Sequence, residues 1–280
     1  MWQNLASRAQ RNVAMVPSID EGISRMAVHV RVVTPITSKG FRKLSDFRGL
    51  LPPGDILSHV EIDKGPASIE CEYEEMLAIP DTVAKIIQAE RDGADAVVID
   101  CMGDPGLKAG RECVRIPVFG PCETSMNLAC MLGDHFSVIT VLKRLRGQFE
   151  NQAKLFGAWE KYASVRAVDI PVLDLEDDLG STVKALTAQA ILAIEEDGAD
   201  VIIFGCTGML GCADGVSEGL RQRGYDVPVI DPVPVTVRMA AAVAASGLCH
   251  SKLAYQMPPR KKIVGYDMPD LYQMSAHGVR

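Results

Sequence analysis

The chain has 280 residues, of which 48% are hydrophobic and 23% charged, and its 29 Lys plus Arg against 36 Asp plus Glu leave a net charge of −7. That length suits about two ordinary domains, the apolar content excludes a disordered chain, and the negative charge repels a phosphate backbone, so no nucleic-acid partner is expected. The longest apolar runs, such as Val201 to Phe204 and Ala240 to Ala245, fall far short of the roughly 18 residues of a membrane span, so no membrane partner is expected either.

Residues 1–27 carry Arg8, Arg11 and Arg25 with no acid before Asp20. They lack the apolar stretch of a secretory signal and read as an N-terminal arm. Eight cysteines (Cys71, Cys101, Cys113, Cys122, Cys130, Cys206, Cys212, Cys249) are spread along the chain, which suggests reduced thiols in a cytoplasm rather than a disulfide framework.

From His29 to Thr34 the β-branched run HVRVVT predicts a strand, and Ile56 to Ile62 a second. Tyr73 to Arg91 has helical apolar spacing, interrupted near Pro80, and a glycine stop at Asp92-Gly93. Strand Ala96 to Ile99 follows, then strand Phe136 to Leu142, a helix Gln148 to Phe156, a short strand Val165 to Val168, a helix Thr182 to Glu196 and strand Val201 to Phe204. Alternation of this kind predicts an α/β fold with parallel sheets.

An internal repeat sharpens that reading. Asp92 to Gly103 (DGADAVVIDCMG) aligns with Asp197 to Gly208 (DGADVIIFGCTG) at an offset of 105, and Pro117-Val118 and Pro121 align with Pro228-Val229 and Pro232 at an offset of 111. Two pseudo-symmetric, Rossmann-like lobes with an active site in the cleft between them account for it. The expected boundaries are 28–121 plus the returning segment 233–280 for lobe one and 122–232 for lobe two. Cys101 and Cys206 then lie just beyond the C-terminal ends of two equivalent central strands, where open α/β sheets bind ligands.

Each of these cysteines precedes a glycine turn, Gly103 or Gly208, and a helix is expected to begin directly afterwards. Backbone N–H groups there would draw each thiol from a free pKa of about 8.5 towards neutrality. Two buried strand-end cysteines are the structural alternative. Two weak acids on opposite walls of a cleft suit removal of a proton from one face of a carbon and delivery to the other, with sulfurs roughly 6 to 7 Å apart, too far for a disulfide. The N–H groups after each cysteine would support a developing enolate. A ring imide such as a 5-substituted hydantoin delocalises the carbanion and asks less of such a site than a free amino acid.

The blocks CMGDPGLKAGRE from Cys101, IPVFGPCETSMNLA from Ile116, FSVITVLKR from Phe136, IPVLDLE from Ile170 and GCTGM from Gly205 resemble the hydantoin and allantoin racemases of the aspartate/glutamate racemase superfamily. The resemblance spans about residues 28 to 245. It implies a cofactor-independent racemase with catalytic Cys101 and Cys206, two α/β lobes, a small-molecule substrate and a homo-oligomer. The chain departs from the family where an Asn-Pro-Asn-Thr type turn usually follows the first strand and helps to hold substrate. Here that turn reads Thr34-Pro35-Ile36-Thr37, and Ile36 can neither donate nor accept a hydrogen bond. Met102 stands where an aromatic is common, and Asn127 where a histidine is common.

Candidate substrate contacts are Thr34, Pro35, Ile36, Met102, Gly103, Thr140, Thr207 and Gly208. Thr140 is placed by an apolar strand that would point its hydroxyl into the cleft, and Thr207 by its position directly after Cys206. Asp104 reads as a helix-start cap before Pro105, and Glu123 as a cap or lobe–lobe contact. Cys113 and Cys212 lack partners at ligand spacing and the histidines (His29, His59, His135, His250, His277) form no cluster, so no metal is expected. No phosphate loop is present, which argues against a nucleotide cofactor. Pro258 to Lys262 (PPRKK) reads as a subunit-contact arm or solvated turn rather than a basic lid. The competing functions are a cysteine-dependent isomerase of an unsaturated diacid, as in the related maleate isomerases, with a covalent adduct; a decarboxylase with one catalytic cysteine; a redox dithiol; and a non-catalytic small-ligand binding protein.

Overall fold

The computed structural model describes residues 27–271; the N-terminal arm, apart from Ala27, and His277 lie outside them. The chain order is β1 (His29–Thr34), β2 (Ile56–Glu61), α1 (Glu72–Arg91), β3 (Ala96–Ile99), α2 (Leu107–Cys113), β4 (Val118–Phe119) and α3 (Pro121–Leu132), followed by β5 (Phe136–Thr140), α4 (Arg146–Leu155), β6 (Tyr162–Ala167), α5 (Leu179–Asp197), β7 (Val201–Phe204), α6 (Ala213–Arg221), β8 (Val229–Ile230) and α7 (Pro232–Ala245). Two four-stranded sheets form, ordered β2-β1-β3-β4 and β6-β5-β7-β8, with every pairing parallel.

Parallel strands covered by helices on both faces are apolar on both faces, and the first sheet shows this by alternation. Val30, Val32, Ala96 and Val98 pack with Val233 and Val237 of α7, whereas Val33, Val97 and Ile99 pack with Val83, Ile86 and Ile87 of α1. The returning α7 also packs against α3, whose other neighbours include β5 and β7 of the second sheet. The α3–α7 pair therefore joins the two halves.

The repeat has a physical basis. Asp95 and Asp200 are the last residues of the two DGAD motifs, and each holds the start of the neighbouring strand: Asp95 N donates to His29 O at 2.7 Å and Asp200 N to His135 O at 2.8 Å. Their carboxylates accept from His29 N at 2.8 Å and His135 N at 2.9 Å. The second register is equally matched, with Val97 N donating to Pro117 O and Ile202 N to Pro228 O, both at 2.9 Å.

Several sequence expectations change, among them the starts of β6 at Tyr162 and α5 at Leu179, each three residues earlier than expected. Pro80 does not interrupt α1, because burial of Ala78, Thr82, Val83, Ile86, Ile87 and Ala89 along one face outweighs one missing backbone hydrogen bond. Strand β5 stops at Thr140, two residues early. No helix follows Cys101 directly: a turn intervenes and α2 starts only after Gly106, while Cys206 leads into a single 3-10 turn, Thr207–Met209.

Candidate functional site

Two residues beyond β3 lies Cys101, and two residues beyond β7 lies Cys206, so the twin strands bring the thiols to equivalent places. Both line one narrow cleft between the two sheets, with a cavity volume of about 40 Å³. Of the expected residues its walls include Thr34, Ile36, Cys101, Met102, Gly103, Cys206 and Thr207. Pro35, Thr140 and Gly208 are not on the walls. Thr140 is fully buried and turns its hydroxyl to Gly205 O at 3.4 Å, and Gly208 acts through its backbone.

Gly103 N donates to Cys101 Sγ at 3.4 Å, and Gly208 N donates to Cys206 Sγ at 3.3 Å. The expected N–H donors are thus present, directed at sulfur. They do not draw the thiols to neutrality. Burial pushes Cys206 up to about 11, against the Gly208 N–H and the positive charge of Arg42, and pushes Cys101 well above its ordinary value, with Glu75 adding to the effect. The reason is desolvation: a thiolate in a dry cleft loses more hydration than one N–H returns. Both sulfurs rest as thiols at neutral pH.

Behind the sulfurs runs a network that the sequence reading missed. Asp100 pairs with Arg42, Nε to Oδ2 at 2.9 Å, and each side chain is only 1% exposed. Arg42 Nη2 also donates to the carbonyl of Thr207, next to the other cysteine, and Thr207 Oγ1 donates to Asp100 O at 3.2 Å. Arg42 therefore ties both cysteine-bearing turns together from one side. The Thr34 hydroxyl donates to Asp100 Oδ2 at 2.9 Å and lies 2.8 Å from His59 Nε2. With its proton committed to Asp100, Thr34 accepts from His59, which fixes the neutral Nε2–H tautomer; burial likewise holds the His59 pKa down. One signal for this network was in the repeat itself, where Asp100 stands opposite Gly205. A buried charge without a counterpart in the twin lobe requires a partner of its own.

The far wall comes from α4. Gln152 donates to the carbonyls of Met102 at 3.1 Å and Gly103 at 2.9 Å and accepts from the Cys122 thiol at 3.1 Å. Asp104, buried and at φ 52°, does cap a helix, but it caps α3 rather than the α2 it precedes: its carboxylate accepts from Cys122 N at 3.0 Å and Glu123 N at 2.9 Å. Gly120 is required there, since a Cβ would sit 2.3 Å from the Asp104 carboxyl carbon. The Glu123 carboxylate pairs with Arg111 of α2. That joins α2 to α3, away from the cleft. Among the described residues no cluster of His, Cys, Asp or Glu could hold a metal ion, and no helix is long and apolar enough to cross a membrane. The PPRKK segment is not on the cleft walls.

Comparison with known proteins follows this geometry. Residues 12–240 match the family model of Asp/Glu/Hydantoin racemase. The chain is 41% identical to the hydantoin racemase of Pseudomonas sp. (strain NS671), over 72% of this chain and 79% of that one. It is 39% identical to the hydantoin racemase of Rhizobium meliloti, over 72% of this chain and 82% of that one. Its structure superposes on allantoin racemase from Klebsiella pneumoniae with a TM-score of 0.79 at 33% identity, covering 85% of this chain and 97% of the other.

Proposed function

Because the chain belongs to the Asp/Glu/hydantoin racemase family, we propose that it racemises 5-substituted hydantoin-like rings, of the hydantoin or allantoin type, by proton transfer between Cys101 and Cys206. The observation that carries this reading is the pair of equivalent thiols, each at the end of a twin strand with a glycine N–H on its sulfur, lining one cleft. The relatives named above support the substrate class.

In the proposed cycle one cysteine first gives up its resting proton to solvent and enters as thiolate, while the other enters as thiol. The thiolate takes the C5 proton, the carbanion charge spreads into the adjoining ring carbonyl, and the opposite S–H delivers its proton to the other face. The C–H bond electrons remain on the ring until the second transfer, so the protein ends with the two sulfur protonation states exchanged. The reaction asks for no cofactor. Thiols of high pKa suit the task, since a buried thiolate is a strong base towards a weakly acidic C–H.

The deciding experiment is proton NMR in deuterated water with single-enantiomer 5-substituted hydantoins and allantoin. Exchange at C5 accompanied by loss of optical activity is expected, and in Cys101→Ser and Cys206→Ser racemisation drops by about 10²-fold or more. Racemisation surviving intact in both variants would end the two-thiol reading. Maleate, run in parallel with intact-protein mass measurement, tests the covalent isomerase alternative.

A further inference from the structure

Over the Cys101 turn lies a contact between the lobes that the proposed reaction has not used. Glu75, in the first turn of α1, accepts a hydrogen bond from Gln148 Nε2 of α4. Gln148 and Gly103 are both walls of the cysteine cleft. Both also line a second groove, bounded further by Glu72, Glu75, Lys108 and Asn151. The pair sits directly on Gly103: a Cβ there would come within 2.6 Å of Glu75 Oε2 and 3.0 Å of Gln148 Nε2. Gly103 is the residue whose N–H supports Cys101 Sγ. A carboxyl is thus latched over the turn that holds one of the two thiols, at the partition between two grooves, whereas the corresponding Gly208 packs against Leu175 and Phe41.

We propose that Glu75, latched to Gln148 across the lobe boundary, is a positioning residue that opposes a negative charge on Cys101 and so biases which sulfur of the pair carries it. The proposal rests on the reading of Cys101 as a proton-transfer group. A negative carboxylate beside the turn disfavours a second negative charge on sulfur, whereas at Cys206 the positive charge of Arg42 acts in the opposite sense and outweighs each of the carboxylates of Asp100 and Glu70. Charged or titratable neighbours facing Glu75 are Glu72 on its own helix, Cys101 and Asp104 on the turn, Lys108 on α2 and Cys122 on α3, while α4 presents the neutral Gln148 and Asn151. Burial first, then Glu72, raises the Glu75 carboxyl to about 7 against the Gln148 hydrogen bond. The latch therefore changes charge in the neutral range.

The test reads thiol chemistry and needs no turnover. In a Cys206→Ser background, iodoacetamide labelling of Cys101 is followed by peptide mass spectrometry from pH 5 to 9. With Glu75 present the rate should lag behind a simple titration above pH 7. In Glu75→Gln the lag should vanish, raising the rate about threefold or more at pH 9 and leaving it unchanged at pH 5, where the carboxyl is neutral in either case. Gln148→Leu removes the bond that favours the charged carboxylate, so the lag should begin at higher pH. A role in folding alone would change the rate equally at every pH. Superimposable Cys101 profiles with and without the Glu75 carboxyl overturn the proposal, whatever the substrate proves to be. Loss of racemisation as a reading, with the lag still abolished by Glu75→Gln, would leave the latch standing and remove only its catalytic purpose.

Discussion

At the scale of single residues the site is governed by what burial does to charge. Arg42 and Asp100 are taken almost wholly out of water and fully paired, so removing one partner strands the other. Arg42→Met should lower the unfolding free energy by about 3–5 kcal/mol, measured by urea denaturation, and the double variant with Asp100→Asn should lose less than the sum of the two single changes. Glu75 gives a separate signature. Its folded pKa lies above the unfolded value, so the stability it contributes is full at low pH and declines as pH rises from about 4.5 through about 7. Glu75→Gln should remove that slope, seen as a urea midpoint that gains on the parent protein's between pH 5 and pH 8. Neither residue was prominent in the sequence. Arg42 lies in the loop between β1 and β2, and Glu75 and Gln148 meet only when the second lobe is set against the first.

Between elements, the connection from each cysteine turn to a following helix N-terminus is made in both lobes with the parts exchanged. In lobe two, Asp231 caps its own α7, accepting from Val233 N at 3.3 Å, and reaches back to Gly211 N beyond the Cys206 turn at 2.8 Å. In lobe one the corresponding position is Gly120, and Asp104 of the cysteine turn supplies the carboxylate instead. The free N–H groups of a helix N-terminus need an acceptor, whichever segment supplies it. Gly120→Ala should therefore force Asp104 off the start of α3, costing about 1–3 kcal/mol by thermal or urea unfolding. The cysteine-containing blocks made the two turns legible in the sequence. The exchange of caps was not, because the pairing of Asp104 with α3 spans a strand and a helix and follows no fixed local spacing.

For the molecule as a whole, β4 is an edge strand, and the segment after α7 covers it. His250 Nε2 accepts from Val118 N at 2.9 Å, and Arg111 Nε donates to Val118 O at 3.0 Å. Lys252 Nζ donates to the Arg111 and Glu112 carbonyls at 2.6 and 3.1 Å, near the C-terminal end of α2, and the Tyr255 ring lies under Arg111. Covering an edge in this way satisfies its backbone groups and blocks pairing with another chain. His250→Ala should lower stability by about 1–2 kcal/mol at pH 8. Burial holds the folded His250 pKa below its unfolded value, so that contribution is lost as pH falls below about 6.5, and the deficit of the variant should shrink there.

The sequence by itself determined the alternation of strands and helices, the doubling of the fold and the placing of Cys101 and Cys206. All of these depend on short-range patterns: β-branched runs that are apolar on both faces, glycine stops, and one motif written twice. Tertiary structure alone decided the charge state of the thiols and the company they keep. Two cysteines flanked by N–H donors predict lowered pKa values when read in isolation. Once two lobes close over them, lost hydration outweighs a single hydrogen bond each, and residues as distant in the chain as Arg42, Glu75 and Gln148 become their immediate surroundings.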